Sequence, residues 1–152
     1  MGAALFYHLT QRSLEATLPP LLEKALGAGW RVAVRGSAIE RMRRLDERLW
    51  LGAEDGFLPH ALAGGDFDAD QPVLLTVSAE IPNGAACLMV VDGAEVSPQE
   101  TRAMERVCIL FDGHDADALA RARGQWKALT GAGIAAQYWS EDSGRWEKKA
   151  EA

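Results

Sequence analysis

Residues 106–139 read RVCILFDGHDADALARARGQWKALTGAGIAAQYW and contain a complete strand–helix–strand unit. The first six residues are mostly apolar, which is typical of a strand that is buried on both faces. Asp115 is a good helix N-cap, and apolar residues recur at intervals of three and four as far as Thr130. Gly131 and Gly133 then end the helix, and a short apolar strand follows. This order predicts two parallel strands joined by a helical crossover.

The rest of the chain repeats the alternation. Strands are predicted at 3–9, 30–35, 72–78 and 86–91, and helices at 11–26, at 37–50 and from Ser97. Ser37 and Glu40 have the spacing of a capping box at the start of the second helix. The alternation predicts a single α/β domain over residues 1–139, in which helices flank a largely parallel sheet. We expect residues 140–152 to form a polar C-terminal tail.

The composition narrows the classes of function. The chain has 152 residues, 48% of them hydrophobic, and a net charge of −6 with a pI of about 5.1. This acidity argues against strong direct binding of nucleic acid. Cys87 and Cys108 lie in apolar runs and are expected to be buried thiols in a reducing compartment. With no signal peptide and no apolar run of about 20 residues, we expect a cytoplasmic protein with no membrane partner.

The motifs of catalysis and cofactor binding give little support to an enzyme. No Walker A sequence and no dinucleotide fingerprint follow the first strand, and we expect no cofactor and no metal. The cluster from Asp112 to Asp117, which includes His114 and Asp115, has two interpretations. It could hold a metal or nucleotide in a small α/β enzyme, because sites often lie where strands end. Alternatively, Asp115 caps the helix and Asp117 complements its dipole, which we favour.

The helix that begins near Asp115 also carries a basic and aromatic pattern. An apolar stripe includes Trp126, and Arg123 and Lys127 stand four residues apart on its flank. Such a pair beside an indole suits a ligand with an anionic head and an apolar body, such as a peptide C-terminus. A solvated basic face over a core tryptophan is the alternative, and the pattern by itself favours it.

Three segments of the chain form a distinctive combination. The first is the N-terminal strand with Phe6-Tyr7, which a long helix follows. The second combines RLDERLW, at residues 44–50, with FLPHALAG, at residues 57–64. The third is ARGQWK at residues 122–127, which precedes a glycine-containing helix exit. Together these segments resemble the chi subunit of bacterial DNA polymerase III, and the resemblance covers most of the chain.

The resemblance implies a non-catalytic accessory subunit of the clamp loader with a Rossmann-like, three-layer α/β fold, a subunit of a nucleotidyltransferase holoenzyme in the cytoplasmic replisome. Such a subunit binds the acidic C-terminal tail of single-stranded DNA-binding protein, so its link to DNA is indirect. It also binds the psi subunit, or another clamp-loader component, and tethers the replication machinery to coated lagging-strand DNA.

The resemblance also assigns residues to these partners. Arg123 and Lys127 match basic tail-binding positions, and Trp126 stands where relatives often have another aromatic residue. The psi-facing surface corresponds to four residues, which are Trp50, Phe57, Pro59 and His60. Two positions depart from the pattern. Gly124 lies inside the tail-binding helix, where glycine costs about 1 kcal/mol relative to alanine. Gln125 replaces a residue that can be basic.

Overall fold

The computed structural model describes residues 2–51, 60–141 and 145–152. Its strands are β1 (Ala3–Leu9), β2 (Val32–Arg35), β3 (Ala61–Leu62), β4 (Val73–Thr76), β5 (Cys87–Val90), β6 (Arg106–Asp112), β7 (Ala135–Ser140) and β8 (Glu147–Glu151). Its helices are α1 (Leu14–Gly27), α2 (Ile39–Trp50), α3 (Pro98–Ala103) and α4 (Ala116–Gly131), with a 3-10 turn at Asp68–Asp70.

One eight-stranded sheet runs through the molecule in the order β3-β4-β2-β5-β6-β1-β7-β8. The central strand β1 pairs in parallel with β6 on one side and β7 on the other. In this sheet, only β8 runs antiparallel to its neighbour, β7. The prediction of an α/β domain with a largely parallel sheet is therefore confirmed.

Each face of the sheet packs against its own layer of helices. Helices α1 and α2 cover one face, where Leu18, Leu22 and Met42 are fully buried. Helix α4 covers the other face, where Leu129 packs in a cluster with Phe6. Side chains of a central strand alternate between the two cores, because successive residues of a strand point to opposite faces. That is why the central strands read as unbroken apolar runs.

The first strand and the sixth strand mark a switch in the topology. β1 and β6 are neighbours, but β1 leads into α1 on one face, whereas β6 leads into α4 on the other. Two helices that leave adjacent strands on opposite faces open a crevice at the carboxyl ends of those strands. Helices α1 and α4 therefore expose their outer surfaces on opposite sides of the molecule.

A serine was predicted at the start of two helices, and the structure confirms only one of these predictions. Ser97 caps α3, since its hydroxyl accepts from the Glu100 backbone N–H while the Glu100 carboxylate accepts from the Ser97 N–H, a complete capping box. The prediction of a capping box at Ser37 is wrong. Helix α2 begins one residue later, after Ala38, and the Ser37 hydroxyl donates instead to the Asp92 carbonyl at 2.6 Å. A contact with another loop has outweighed the local capping pattern.

The C-terminal residues also differ from the expected polar tail. Residues Glu147–Glu151 form β8 and pair with the outer edge of β7. Just before β8, the Trp146 ring packs edge-on against Tyr7, with ring centroids 5.3 Å apart. The pairing satisfies backbone groups of β7 that would otherwise face solvent, and the Trp146 indole buries apolar surface. The strand is therefore stabilised by backbone pairing and by a residue outside it, and the polar composition of β8 did not predict it.

The two cysteines are buried free thiols, as predicted. They lie on the adjacent strands β5 and β6. The hydrogen bond between the Cys87 and Cys108 side chains, together with burial, raises the pKa of Cys108 above the ordinary range of a thiol. A thiol in this state is a packing group rather than a nucleophile.

Candidate partner-binding site

Helix α4 presents the predicted basic residues in a fixed orientation. The Asp115 carboxylate caps the helix by accepting from the backbone N–H groups of Asp117 and Ala118 at 2.9 and 3.2 Å. The buried side of α4 holds Ala118, Ala122 and Leu129. Because this side packs against the sheet, the flank that carries Arg123 faces outward.

Arg123 and Lys127 lie one helical turn apart on this outward flank, and both are exposed. Neither side chain makes an ion pair or hydrogen bond within residues 2–51, 60–141 and 145–152. Gly124 is also exposed, and an added Cβ at that position would meet no atom within 4 Å. The two cations are therefore free to meet an anion from outside.

Trp126 borders the cations and is only partly buried. Its ring lies edge-on to Phe6 in the core, with centroids 5.3 Å apart, and to Tyr138 of β7 at 6.2 Å. Tyr138 is itself partly exposed, and its hydroxyl lies 2.8 Å from His8 Nδ1. Trp126 thus belongs to the core on one side and lines an apolar surface between α4 and β7 on the other.

Gln125, one of the two residues that depart from the pattern of the resemblance, faces the opposite flank of α4. Its carbonyl oxygen accepts from the Val96 N–H at 3.0 Å, and its amide donates to the Val96 carbonyl at 3.2 Å. These two hydrogen bonds join α4 to the loop between β5 and α3. A basic residue here could not make the same pair of bonds, because it lacks an acceptor.

The second predicted surface is described in part. Trp50, at the end of α2, is 54% exposed, and its ring stacks on the His60 ring with centroids 4.1 Å apart. His60 is buried, and its Nε2 lies 3.2 Å from the Asp46 carbonyl oxygen. His60 therefore lies beneath the indole and supports it. The predicted residues Phe57 and Pro59 lie outside the described ranges.

The acidic cluster at the end of β6 is engaged in local hydrogen bonds. Asp112 Oδ1 accepts from the His114 N–H at 2.8 Å, and Asp115 caps α4. A cavity of about 520 Å³ opens beside them at the switch point. It is lined by charges of both signs, and Arg41 already pairs there with Glu15 at 2.7 Å and with Asp92 at 3.0 Å. These contacts favour the capping interpretation of the cluster.

Sequence reasoning missed Tyr138, which the fold places beside Trp126. Ile134, Ala136 and Tyr138 alternate along the last strand, and this period of two puts them on one face of the sheet. The alternation could have shown that Tyr138 shares the α4 face. It could not have shown that the ring reaches Trp126, because that distance depends on how α4 crosses the sheet.

A doubly wound α/β domain with a basic and aromatic helix flank and a separate exposed tryptophan has the features of a small partner-binding protein. Comparison with known proteins is more specific. Residues 1–137 match the model of the DNA polymerase III chi subunit family (HolC), and the chain belongs to this family. It is also similar to the probable DNA polymerase III subunit chi of Rickettsia prowazekii (strain Madrid E). The two are 22% identical over 114 residues, which cover 70% of this chain and 67% of the relative.

Membership of this family gives the protein a role in DNA replication as a DNA polymerase III subunit. Across the described ranges, no helix is long and apolar enough to cross a membrane.

Proposed function

We propose that this chain tethers the clamp-loader complex to single-stranded DNA-binding protein in the cytoplasmic replisome by binding the acidic C-terminal tail of that protein. The observation that carries the proposal is the flank of α4, where two cations without a partner among the described residues, Arg123 and Lys127, stand beside the half-buried Trp126. An acidic tail that ends in an apolar residue would place its free carboxylate at the cations. Its last side chain would lie on the indole and Tyr138.

The electrostatics of the chain favour a small anionic target over DNA itself. The net charge of −6 repels a polyanion, whereas two exposed cations one turn apart suit a short carboxylate-rich segment. Exposed charge pairs contribute little individually, about 0.2–1 kcal/mol each. We expect an affinity in the micromolar range, about −8 kcal/mol, and the binding should weaken as salt is added, because both cations are exposed.

The tail proposal is tested by fluorescence anisotropy with a labelled peptide of the last ten or so residues of the host's single-stranded DNA-binding protein. Arg123→Glu and Lys127→Glu should each weaken binding roughly tenfold, because each places a like charge beside the peptide carboxylates. A peptide with an amidated C-terminus should also bind more weakly.

Lys24→Glu is the matched control for this experiment. Lys24 is an exposed lysine on α1, on the opposite face of the sheet, so the same reversal there should leave tail binding unchanged. If Arg123→Glu and Lys127→Glu are folded by circular dichroism and bind the tail as the wild type does, the proposal is wrong.

We also propose that the surface around Trp50 binds the psi subunit. Trp50 and the neighbouring Leu51 are 54% and 79% exposed, which places two large apolar side chains together on the surface. Phe57, Pro59 and His60 complete the proposed surface by resemblance, with His60 as the support of the indole. In a pull-down, Trp50→Ala should lose psi while it still binds the tail peptide. Retention of psi by this variant would refute the assignment.

A further inference from the structure

A second cavity lies on the face of the sheet opposite α4. It has a volume of about 340 Å³ and opens between α1 and the C-terminal segment that contains β8. Tyr7, Trp139 and Trp146 provide its aromatic walls, and Pro20 and Leu21 of α1 close the other side. We call this cavity the aromatic slot. The family match ends at residue 137, so two of the three aromatic walls come from residues beyond it.

The walls of the slot are held in place by specific contacts. Trp146 packs edge-on against Tyr7, with an interplanar angle of 90°. The Trp139 indole N–H donates to Gln137 Oε1 at 3.1 Å. Glu141, which is 1% exposed, follows β7, and its Oε1 accepts from the Gln11 backbone N–H in the β1–α1 loop at 2.6 Å. The slot is therefore a built feature rather than a gap beside a loose chain end.

The two charged residues that line the slot are both cations. Arg12 and Lys24 are the charged residues that line it, both are exposed, and neither side chain makes an ion pair with any residue that the structure describes. Thr17 and Lys24 both face the slot and are seven residues apart on α1, a rise of about 10 Å. Arg12 lies beyond Thr17, in the loop that precedes the helix. The slot is thus an apolar groove along α1 with a cation near each end.

We propose that the aromatic slot binds an internal peptide segment of a partner protein in which one bulky apolar side chain is flanked by acidic residues. Aromatic walls favour an inserted ring, and a cation at each end complements acids on both sides of that ring. A single-stranded nucleic acid would also stack on the tryptophans. It is disfavoured because a chain of charge −6 offers only two cations here to a polyanion.

This site is distinct from the proposed tail site. The two lie on opposite faces of the sheet, and the slot needs no free carboxylate, because its cations stand near the two ends of the groove. A chi-family subunit with both sites would hold two acidic segments at once. The proposal stands independently of tail binding, since it rests on other residues and another class of segment.

The test uses the indole N–H signals of the five tryptophans in a nitrogen-15 correlation spectrum, assigned by single Trp→Phe variants. The probe is a heptapeptide with a central phenylalanine and three acidic residues on each side, acetylated and amidated so that it has no free carboxyl end. The signals of Trp139 and Trp146 should shift on titration, whereas those of Trp50 and Trp126 should not.

The test variant and the control variant exchange the roles that they have in the tail experiment. Lys24→Glu should weaken binding of the heptapeptide about three- to tenfold, and Lys127→Glu should leave it unchanged. Trp146→Phe, which keeps a ring against Tyr7, should weaken binding less than Trp146→Ala. The spectra of the free variants show directly whether each remains folded.

Three results would overturn the proposal. The first is no shift of Trp139 or Trp146 at millimolar heptapeptide. The second is a shift confined to Trp126, which would place the peptide at the tail site. The third is a tighter response of Trp139 and Trp146 to a thymidine decamer than to the heptapeptide, which would make the slot a nucleic-acid site.

Discussion

Replacement of Glu141 by alanine should destabilise the C-terminal part of the sheet. The Glu141 side chain is 1% exposed, and its Oε1 accepts from three successive backbone N–H groups, those of Thr10, Gln11 and Arg12, at 3.3, 2.6 and 2.5 Å. A hydrogen bond to a charged group contributes about 1.5–3 kcal/mol to the free energy of unfolding. A backbone N–H that loses its partner and stays buried adds a smaller desolvation cost.

The three bonds do not add in full, because they share one oxygen and are only part-buried. The other oxygen, Oε2, is buried without a hydrogen-bond partner among the described residues, which lowers the net contribution of the carboxylate. We therefore expect Glu141→Ala to lower the free energy of unfolding by about 2–4 kcal/mol. Glu141→Gln keeps one acceptor oxygen and should cost about half as much.

The measurement is urea denaturation at pH 7, followed by far-UV circular dichroism, together with amide hydrogen exchange of β7 and β8. Exchange in β8 should accelerate most, because Glu141 ties the start of this segment to the β1–α1 loop. Glu151→Ala is the control, since Glu151 is exposed and its contacts are with the side chains of Gln137 and Lys148. It should change stability by less than about 0.5 kcal/mol. An equal, small effect of both alanine variants would refute the reasoning.

Two further predictions concern the Arg35 and Ser97 regions. Burial opposes ionisation of Glu100, but the hydrogen bond from the buried Arg35 at 2.7 Å, the Arg35 charge and the hydrogen bonds with Ser97 together outweigh burial and hold the pKa of the Glu100 carboxyl below its ordinary value. A lowered folded-state pKa contributes stability above the ordinary value of 4.5, which is lost as the pH falls through the folded-state pKa. The stability difference between wild type and Glu100→Gln in urea should therefore shrink below pH 4.5, and a constant difference from pH 7 to pH 3 would contradict this. Ser97→Ala removes one half of the α3 capping box and should lower the thermal unfolding free energy by about 1 kcal/mol, whereas Ser37→Ala, which removes no helix cap, should show no loss of helix content by circular dichroism.

The two proposed peptide sites use the same chemistry on opposite faces of one sheet. Each combines cations without partners in the described structure with partly exposed aromatic rings. Their separation follows from the switch between β1 and β6, which sends α1 to one face and α4 to the other. One central sheet can therefore hold two acidic partners without a clash between them.

Several features of the candidate site could be predicted from the sequence because they depend on neighbours along the chain. The spacing of four between Arg123 and Lys127 fixes them on one helix flank, and Asp115 caps α4 as expected. The family was also recognisable, since its segments are short and local. Gln125 was identified as a departure, but its two bonds to Val96 were not predictable, because they depend on the loop that α4 approaches.

The sequence by itself determined the alternation of strands and helices, the helix cap at Asp115 and the family, because helical periodicity and capping involve residues within about four positions of each other. Only the tertiary structure decided the features that join distant segments. Glu141 contacts Thr10 across 131 residues of chain, Tyr138 reaches Trp126 across the sheet, and Ser37 gives up its capping role to bond Asp92. These contacts depend on the order of strands in the sheet and on the helix layers, and no local pattern of residue types encodes either.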